Sequence, residues 1–125
     1  MKVYTPRIIK AAENYMFDKK RITPLALMQR AASEIYASAK EYISAEDLIV
    51  VLCGSGNNGG DGFALARLLH LKGYSCVIHF VGKEERLTTD AKTNYNACVA
   101  LAIPIVKTCD YTSFDVIIDC IFGTG

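Results

Sequence analysis

Four short apolar runs constrain the fold of this chain more than any other feature. Their residues do not alternate between apolar and polar, which is typical of parallel strands covered by helices on both faces. The segments after the first two runs instead repeat apolar residues at helical spacing. The sequence therefore predicts strands at residues 48–53, 76–81, 103–106 and 116–120, with helices between the first three.

Two helices are predicted ahead of the first strand. Thr23 can cap the free N–H groups of a helix, and Pro24 suits its first position because the φ angle of proline is fixed. Apolar residues then recur at helical spacing as far as Ile43. A weaker pattern indicates an earlier helix at residues 7–18. No strand is predicted before these helices.

Turn and cap residues bound the helices that lie between strands. The helix after the first strand is predicted to open at Asp61 or Gly62 and to end at Gly73, a C-cap. Thr88 or Thr89 can cap the helix after the second strand. The third strand is followed by a loop rather than by a helical pattern.

This order of elements predicts an α/β protein with a three-layer, doubly wound, Rossmann-like parallel sheet, preceded by two N-terminal helices and truncated after strand four. Right-handed crossovers give the spatial strand order 3-2-1-4, and a crevice then opens where strands one and four end. Residues 1–125 are expected to form one domain that is incomplete at its C-terminal end. Strand four would be an unpaired edge, so we expect a homo-oligomer.

Composition argues against several classes of partner. The chain has 14 Lys+Arg against 13 Asp+Glu, so a nucleic-acid-binding surface or a polybasic membrane anchor is not expected. No apolar run approaches the roughly 20 residues of a membrane helix. Five cysteines without a Cys-x-x-Cys spacing indicate buried thiols in a reducing compartment. The expected location is the cytoplasm.

Residues 54–59 match the G-x-G-x-x-G pattern between a strand and a helix, where backbone N–H groups receive a phosphate. The acid that a classical dinucleotide site places after the second strand is missing, because Val81 and Gly82 stand there. Gly60 and Asp61 replace the Lys-Ser/Thr pair of a Walker loop, which argues against ATP chemistry at this loop.

The block Asn57–Asn58–Gly59–Gly60–Asp61–Gly62 collects two amides and a carboxylate in one turn. These oxygens can bind a cation or a polar ligand. The alternative is an ordinary tight turn in which Asp61 caps the helix.

Asp119 interrupts an otherwise apolar strand near its end, where an ionised carboxylate must be paired, hydrogen-bonded or bound to a cation. The alternative for Asp119 is a structural cap on a loop N–H group. His79 is expected to be a buried, hydrogen-bonded imidazole. Asp90 can cap the helix after the second strand.

Five segments together resemble the YjeF N-terminal family, the NAD(P)H-hydrate epimerases. The resemblance covers essentially the whole chain, although Gln29 replaces the family's usual glutamate and Ala32 its usual glycine. The segments are residues 53–63 (CGSGNNGGDGF), 66–67 (AR), 90–94 (DAKTN), 118–125 (IDCIFGTG) and 27–32 (LMQRAA).

The resemblance implies a Rossmann-like fold. It also implies an enzyme that interconverts the R and S epimers of hydrated NADH or NADPH. It implies that Asn58 and Asp119 ligate a potassium ion. Epimerisation needs a proton removed and returned, for which Asp119 is our first candidate and Asp61 the second. The residues implied to contact the substrate are Asn57, Asn58, Gly59, Gly60, Asp61, Gly123, Thr124 and Gly125.

The family resemblance leaves two functions open. The first is an epimerase domain, alone or as the front half of a bifunctional epimerase and dehydratase. The alternative is a non-catalytic binding or scaffold module of the same fold. The complete oxygen-rich block favours the enzyme.

Overall fold

Strands and helices alternate along the chain, and the computed structural model describes residues 2–4 and 23–121. Residues 5–22 and 122–125 lie outside the described part, and with them the predicted helix at 7–18 and the Gly123–Gly125 turn. The elements are β1 (Lys2–Tyr4), α1 (Pro24–Ala39), β2 (Leu48–Cys53), α2 (Asn57–Leu71), β3 (Ser75–Phe80), α3 (Thr89–Ala100), β4 (Ile105–Val106) and β5 (Val116–Asp119).

The strands form one parallel sheet in the order β1-β5-β2-β3-β4. The four predicted strands are β2, β3, β4 and β5, so the predicted order 3-2-1-4 is confirmed, and the α/β class with it. Leu52 of β2 pairs with His79 on one side and with Asp119 on the other. The carboxyl ends of β2 and β5 therefore lie side by side.

The fifth strand, β1, was not predicted. Lys2, Val3 and Tyr4 pair in parallel with Val116, Ile117 and Ile118 of β5. The prediction that no strand precedes the helices is therefore wrong, and so is the prediction of an unpaired edge at strand four. Three residues are too short a segment to show a periodicity, and their pairing depends on a partner that is distant in sequence. The expected self-association loses this structural basis.

Helix starts agree with the sequence wherever a hydroxyl cap is available. The Thr23 side chain accepts a hydrogen bond from Ala26 N at 3.2 Å, with Pro24 opening α1. Thr88 accepts from Ala91 N at 3.2 Å in the same way. Gly73, just past α2, has a φ of +93°, which a residue with a side chain rarely adopts.

The core lies between the sheet and the helices. Ile49, Val51 and Cys53 alternate along β2, are fully buried, and join one apolar cluster with the inner face of α2. The helices α1 and α3 both pack against α2. Within the described residues no helix is long and apolar enough to cross a membrane.

Candidate functional site at the carboxyl ends of β2 and β5

The asparagine-glycine-aspartate block opens α2, with Asn57–Gly60 in its first turn and Asp61 directly after it. The helix begins at Asn57, and Gly56 is its N-cap with no side-chain hydrogen bond. The prediction that this helix opens at Asp61 or Gly62 is therefore wrong by about one turn. Asparagine and glycine are poor helix formers, but tertiary packing overrides that preference here. The free N–H groups of this turn lie at the carboxyl edge of the sheet.

Two glycines of the block allow close packing. A Cβ on Gly60 would stand 2.6 Å from Met28 Cε of α1, and one on Gly62 would stand 2.6 Å from Cys53 Sγ of β2. Real Cβ atoms essentially never approach other atoms so closely. Packing therefore favours glycine at position 62, where Cys53 and Cys120 are buried, whereas the flexible end of Met28 can shift away from a Cβ on Gly60.

Asp61 is buried, with 3% of its surface exposed. Its charge adds to the burial that raises the pKa of the Cys53 thiol, and it acts in the same way on Cys120. Because Gly56 is the N-cap, the alternative in which Asp61 caps the helix is wrong. Asp61 lies instead between the start of α2 and the ends of β2 and β5.

Asp119 is the last residue of β5 and is half-buried. Its Oδ1 accepts a hydrogen bond from Ile121 N at 2.9 Å. The structural role that the sequence left as an alternative is thus present, because one carboxylate oxygen of Asp119 caps a loop N–H group. The structure shows no hydrogen bond from residues 23–121 to the other, Oδ2, which leaves this oxygen available to a ligand.

The topology brings Asp119 and the start of α2 to the same edge of the sheet. Asp119 pairs with Leu52, and the glycine-rich turn begins two residues after Leu52. Adjacent strands whose connections leave in opposite directions form the usual ligand crevice of an open α/β sheet. Asn57, Asn58, Gly59, Gly60, Asp61 and Asp119 meet at this edge, and Gly123, Thr124 and Gly125 lie outside the described residues.

The loop after β3 packs against the glycine-rich turn that follows β2. Lys83 N donates to Ser55 Oγ at 3.0 Å, and a Cβ on Gly82 would overlap Ser55 Oγ. Lys107 Nζ donates to Gly82 O at 3.0 Å. Gly82 thus packs where a classical dinucleotide site has its ribose-binding acid, in agreement with the absence of that acid from the sequence.

Sequence reasoning missed the partner of His79. Tyr111 Oη lies 2.6 Å from His79 Nδ1, and His79 Nε2 lies 3.1 Å from Lys107 O. Because a carbonyl only accepts, Nε2 carries the proton and Tyr111 donates to Nδ1. Burial raises the pKa of Tyr111, and Cys109 and Asp119 add to the effect. The predicted hydrogen bonds of the imidazole are confirmed, but His79 is half-buried rather than buried, and nothing in the sequence pattern identified Tyr111.

The buried thiols are not nucleophiles. Burial raises the pKa of Cys76 to about 11 and that of Cys98 to about 12. Burial also raises the pKa values of Cys53 and Cys120 well above the ordinary value. The thiolate is the reactive form, so these groups are inert near neutral pH.

The donor chemistry of the site suits a hard cation better than zinc. Within the described part of the chain no three His, Cys, Asp or Glu side chains are grouped to hold a metal ion. The uncommitted Asp119 Oδ2 is a carboxylate oxygen, the type of donor that hard cations prefer. A potassium ion therefore fits the chemistry of this edge.

The fold defines a Rossmann-type α/β protein whose candidate site lies at the carboxyl ends of β2 and β5. A sequence comparison specifies the family: the profile described as "YjeF-related protein N-terminus" matches residues 24–125. The chain belongs to this family.

Several curated relatives carry the name NAD(P)H-hydrate epimerase. The protein from Roseobacter litoralis is 32% identical to this chain, over 98% of the chain and 64% of the relative. That from Limosilactobacillus fermentum is 34% identical, over 94% of the chain and 57% of the relative. The chain thus spans less than two thirds of the length of these relatives.

A solved structure supports the fold. The crystal structure of the yeast protein ynu0 superimposes with a TM-score of 0.71, at 24% identity, over 98% of this chain and 57% of that chain. At that identity the comparison establishes the shared architecture.

Proposed function

We propose that the protein containing this chain is an NAD(P)H-hydrate epimerase, which interconverts the R and S epimers of hydrated NADH and NADPH. Family membership and the names of the relatives support the activity. The observation that carries the proposal is the meeting of the Asn57–Asp61 turn with Asp119 at the ends of β2 and β5. A scaffold module would not need this group of oxygen donors in one crevice.

We propose that the start of α2 binds the substrate through Asn57, Asn58, Gly59, Gly60 and Asp61. The free N–H groups at a helix N-terminus attract phosphate, and the hydrated dinucleotide carries a pyrophosphate. Gly123, Thr124 and Gly125 complete the set, since they follow β5 as the glycine turn follows β2. On this proposal residues 1–125 are part of an epimerase domain. The part of the relatives that lies outside the match would correspond to the rest of the crevice.

Asn58 and Asp119 are the residues that would hold potassium. When bound, the ion would supply a positive charge that offsets the half-buried carboxylate and attracts the phosphates. Asp119 remains hydrogen-bonded to Ile121 N through Oδ1, so Oδ2 is the oxygen that faces a ligand.

Asp119 Oδ2 is also our first candidate for the atom that removes and returns the proton during epimerisation. It is half-buried, at the crevice, and not engaged by a hydrogen bond from residues 23–121. Asp61 is the second candidate, because it is a buried carboxyl group at the start of α2.

The proposal extends to location and partners. Four buried thiols among five free cysteines suit a reducing compartment, so we propose the cytoplasm. The partner is a small molecule, and neither nucleic acid nor membrane is part of the proposal. The homo-oligomer stays a prediction without support from the strand-four edge, and sedimentation of the purified protein at several concentrations tests it.

The test compares Asp119→Ala with Asp90→Ala in the full-length protein. Asp90, the half-buried second residue of α3, is not among the residues proposed to bind substrate or potassium and serves as the matched carboxylate control. We expect Asp119→Ala to lower the rate of epimer interconversion, followed by chiral separation of the two hydrates, at least a hundredfold toward the spontaneous background. Asp90→Ala should retain most of the wild-type rate. Wild-type protein at the background rate would instead support the scaffold alternative.

A further inference from the structure

A groove separate from the β2–β5 crevice lies between the three described helices. It has a volume of about 210 Å³, enough for several waters or a small organic molecule. Arg67, its charged residue, lies about 10 Å along α2 from Gly60 at 1.5 Å per residue. Its lining residues are Gln29, Ala32 and Ser33 of α1, Ala64, Arg67 and Leu68 of α2, and Asn94 of α3.

Arg67 dominates the charge of this groove. Its side chain is exposed and makes no ion pair with the residues that the structure describes. The neighbouring arginine on α1 differs, because Arg30 Nε lies 3.7 Å from Glu34 Oε1. Within residues 2–4 and 23–121 the Arg67 guanidinium is therefore not engaged by an acid, and its planar fork matches a carboxylate.

The remaining polar groups around Arg67 are neutral. Gln29 and Ser33 are exposed on α1, and each can donate a hydrogen bond. Asn94 is buried, with 3% exposed, and its Nδ2 makes only long contacts of 3.5 Å, to Met28 Sδ and Asp90 O. No acidic side chain of the described residues lines the groove. Asp90, one turn before Asn94, is the nearest carboxylate along α3.

The composition of the walls selects among anions. Arg67 alone can balance the charge of one carboxylate, whereas a doubly charged phosphate would keep one negative charge that no other lining residue balances. Ala32, Ala64 and Leu68 give the groove an apolar side that can cover a short hydrocarbon chain.

We infer that this groove is a binding site for a small aliphatic monocarboxylate, held by the Arg67 guanidinium with Gln29 and Ser33 as further donors. The site is independent of the proposed epimerase activity, because none of these residues belongs to the β2–β5 crevice. Arg67 is exposed to water, so the affinity is in the millimolar range.

The experiment titrates purified protein with butyrate and, separately, with butyramide, while NMR follows the Arg67 Nε–Hε signal. The two probes have the same shape, but only butyrate carries a charge. We expect a saturable shift with butyrate in the millimolar range and at least tenfold weaker binding of butyramide. Equal binding of the two probes, or no saturation by either, would overturn the proposal. The ligand pair is tested on the wild type, so the result does not depend on a variant that folds.

Variants then locate the site through shifts of the backbone amides of Ser33 and Asn94. Arg67→Gln should weaken butyrate binding at least tenfold. Gln29→Glu should do the same, because it changes shape little and provides Arg67 with a carboxylate within the groove. Arg30→Gln removes an equal charge from α1 outside the groove and should leave the affinity unchanged. If Arg67→Gln and Arg30→Gln behave alike, butyrate binds elsewhere and the assignment is wrong.

Discussion

Gly62 of α2 lies directly against Cys53 of β2, with 2.6 Å between the position of an added Cβ and Cys53 Sγ. The same Cβ would stand 3.0 Å from Cys120 Cβ. The helix that carries the candidate substrate residues is thus seated on the ends of the two strands that form the crevice. Its position is fixed by a contact that only glycine permits.

We expect Gly62→Ala to destabilise the protein. The cost of forcing a methyl group between two strands is about 1–3 kcal/mol, and it opposes a gain of about 1 kcal/mol in helix propensity. Gly56→Ala, where nothing lies within 4 Å of the added Cβ, is the control without a steric clash and should cost about 0.5–1 kcal/mol, because alanine is the poorer N-cap residue. Urea denaturation measures both. The double variant Gly62→Ala/Cys53→Ala lacks the obstructing sulfur, so it should lose less stability than the sum of the losses of the two single variants. A loss equal to that sum would contradict the steric explanation.

The two oxygens of Asp119 allow its structural and chemical roles to be separated. Asp119→Ala leaves the Ile121 N–H without its acceptor and should lower the free energy of unfolding by about 1 kcal/mol. Asp119→Asn retains an oxygen for that bond and should be close to wild type in stability, while losing epimerase activity as severely as Asp119→Ala. Thermal denaturation and the chiral assay are measured on the same samples. Full activity in Asp119→Asn would show that the carboxylate is not the proton carrier.

Stability should fall as the pH rises above about 9. Burial raises the folded-state pKa of Cys76 to about 11 and of Cys98 to about 12, from an ordinary value of 9.0. Above pH 9 the unfolded chain therefore loses thiol protons that the folded chain retains, so the unfolded state is favoured. The stabilisation is complete below pH 9 and declines through pH 11 and 12.

The urea midpoint at pH 8 and pH 10.5 measures this pH effect. Cys98→Ala should be less stable at pH 8 yet lose less stability than the wild type between the two values. The comparison is Cys109→Ala, which removes a half-buried thiol whose pKa is also raised, so it should reduce the wild-type slope less than Cys98→Ala does. Identical slopes for all three proteins would exclude the thiols as the cause.

Removing the first four residues should expose β5. Residues Lys2–Tyr4 pair along Val116–Ile118, and without them this apolar strand becomes an open edge that can pair with another chain. We expect the shortened protein to self-associate more strongly than the intact one in sedimentation velocity at matched concentrations. A chain with Val3→Ala keeps the backbone pairing and should behave as the intact protein does. The absence of any difference on truncation would mean that β1 does not protect the edge.

The strand order was predictable because it follows from local patterns and one rule. Each of the apolar runs at β2, β3 and β5 is long enough to predict a strand without information from the rest of the chain. Right-handed crossovers then determine the arrangement of these strands. Thr23 and Thr88 marked helix starts because a hydroxyl cap acts within three residues.

Other features depended on contacts between distant residues. The start of α2 was misplaced because Asn57–Gly60 are helical against their local propensity, and the packing of Gly60 on Met28 joins residues that are distant in sequence. The His79–Tyr111 pair and the closing of Gly82 onto Ser55 join loops that are far apart in sequence. Of the candidate site, the sequence predicted the residues and their common edge, while their roles remain predictions.

The pairing of β1 with β5 also has a consequence for how this chain acquires its fold. Lys2 precedes its partner Val116 by more than a hundred residues, so it is synthesised well before that partner. Until then β5 is missing from the sheet, so β1 has nothing to pair with while β2, β3 and the helices between them can already assemble through nearer contacts. Contacts between such distant segments form late because they close the longest loop. We therefore expect β1 to be the last strand of the described sheet to pair. Its pairing with β5 would then mark the completion of the fold.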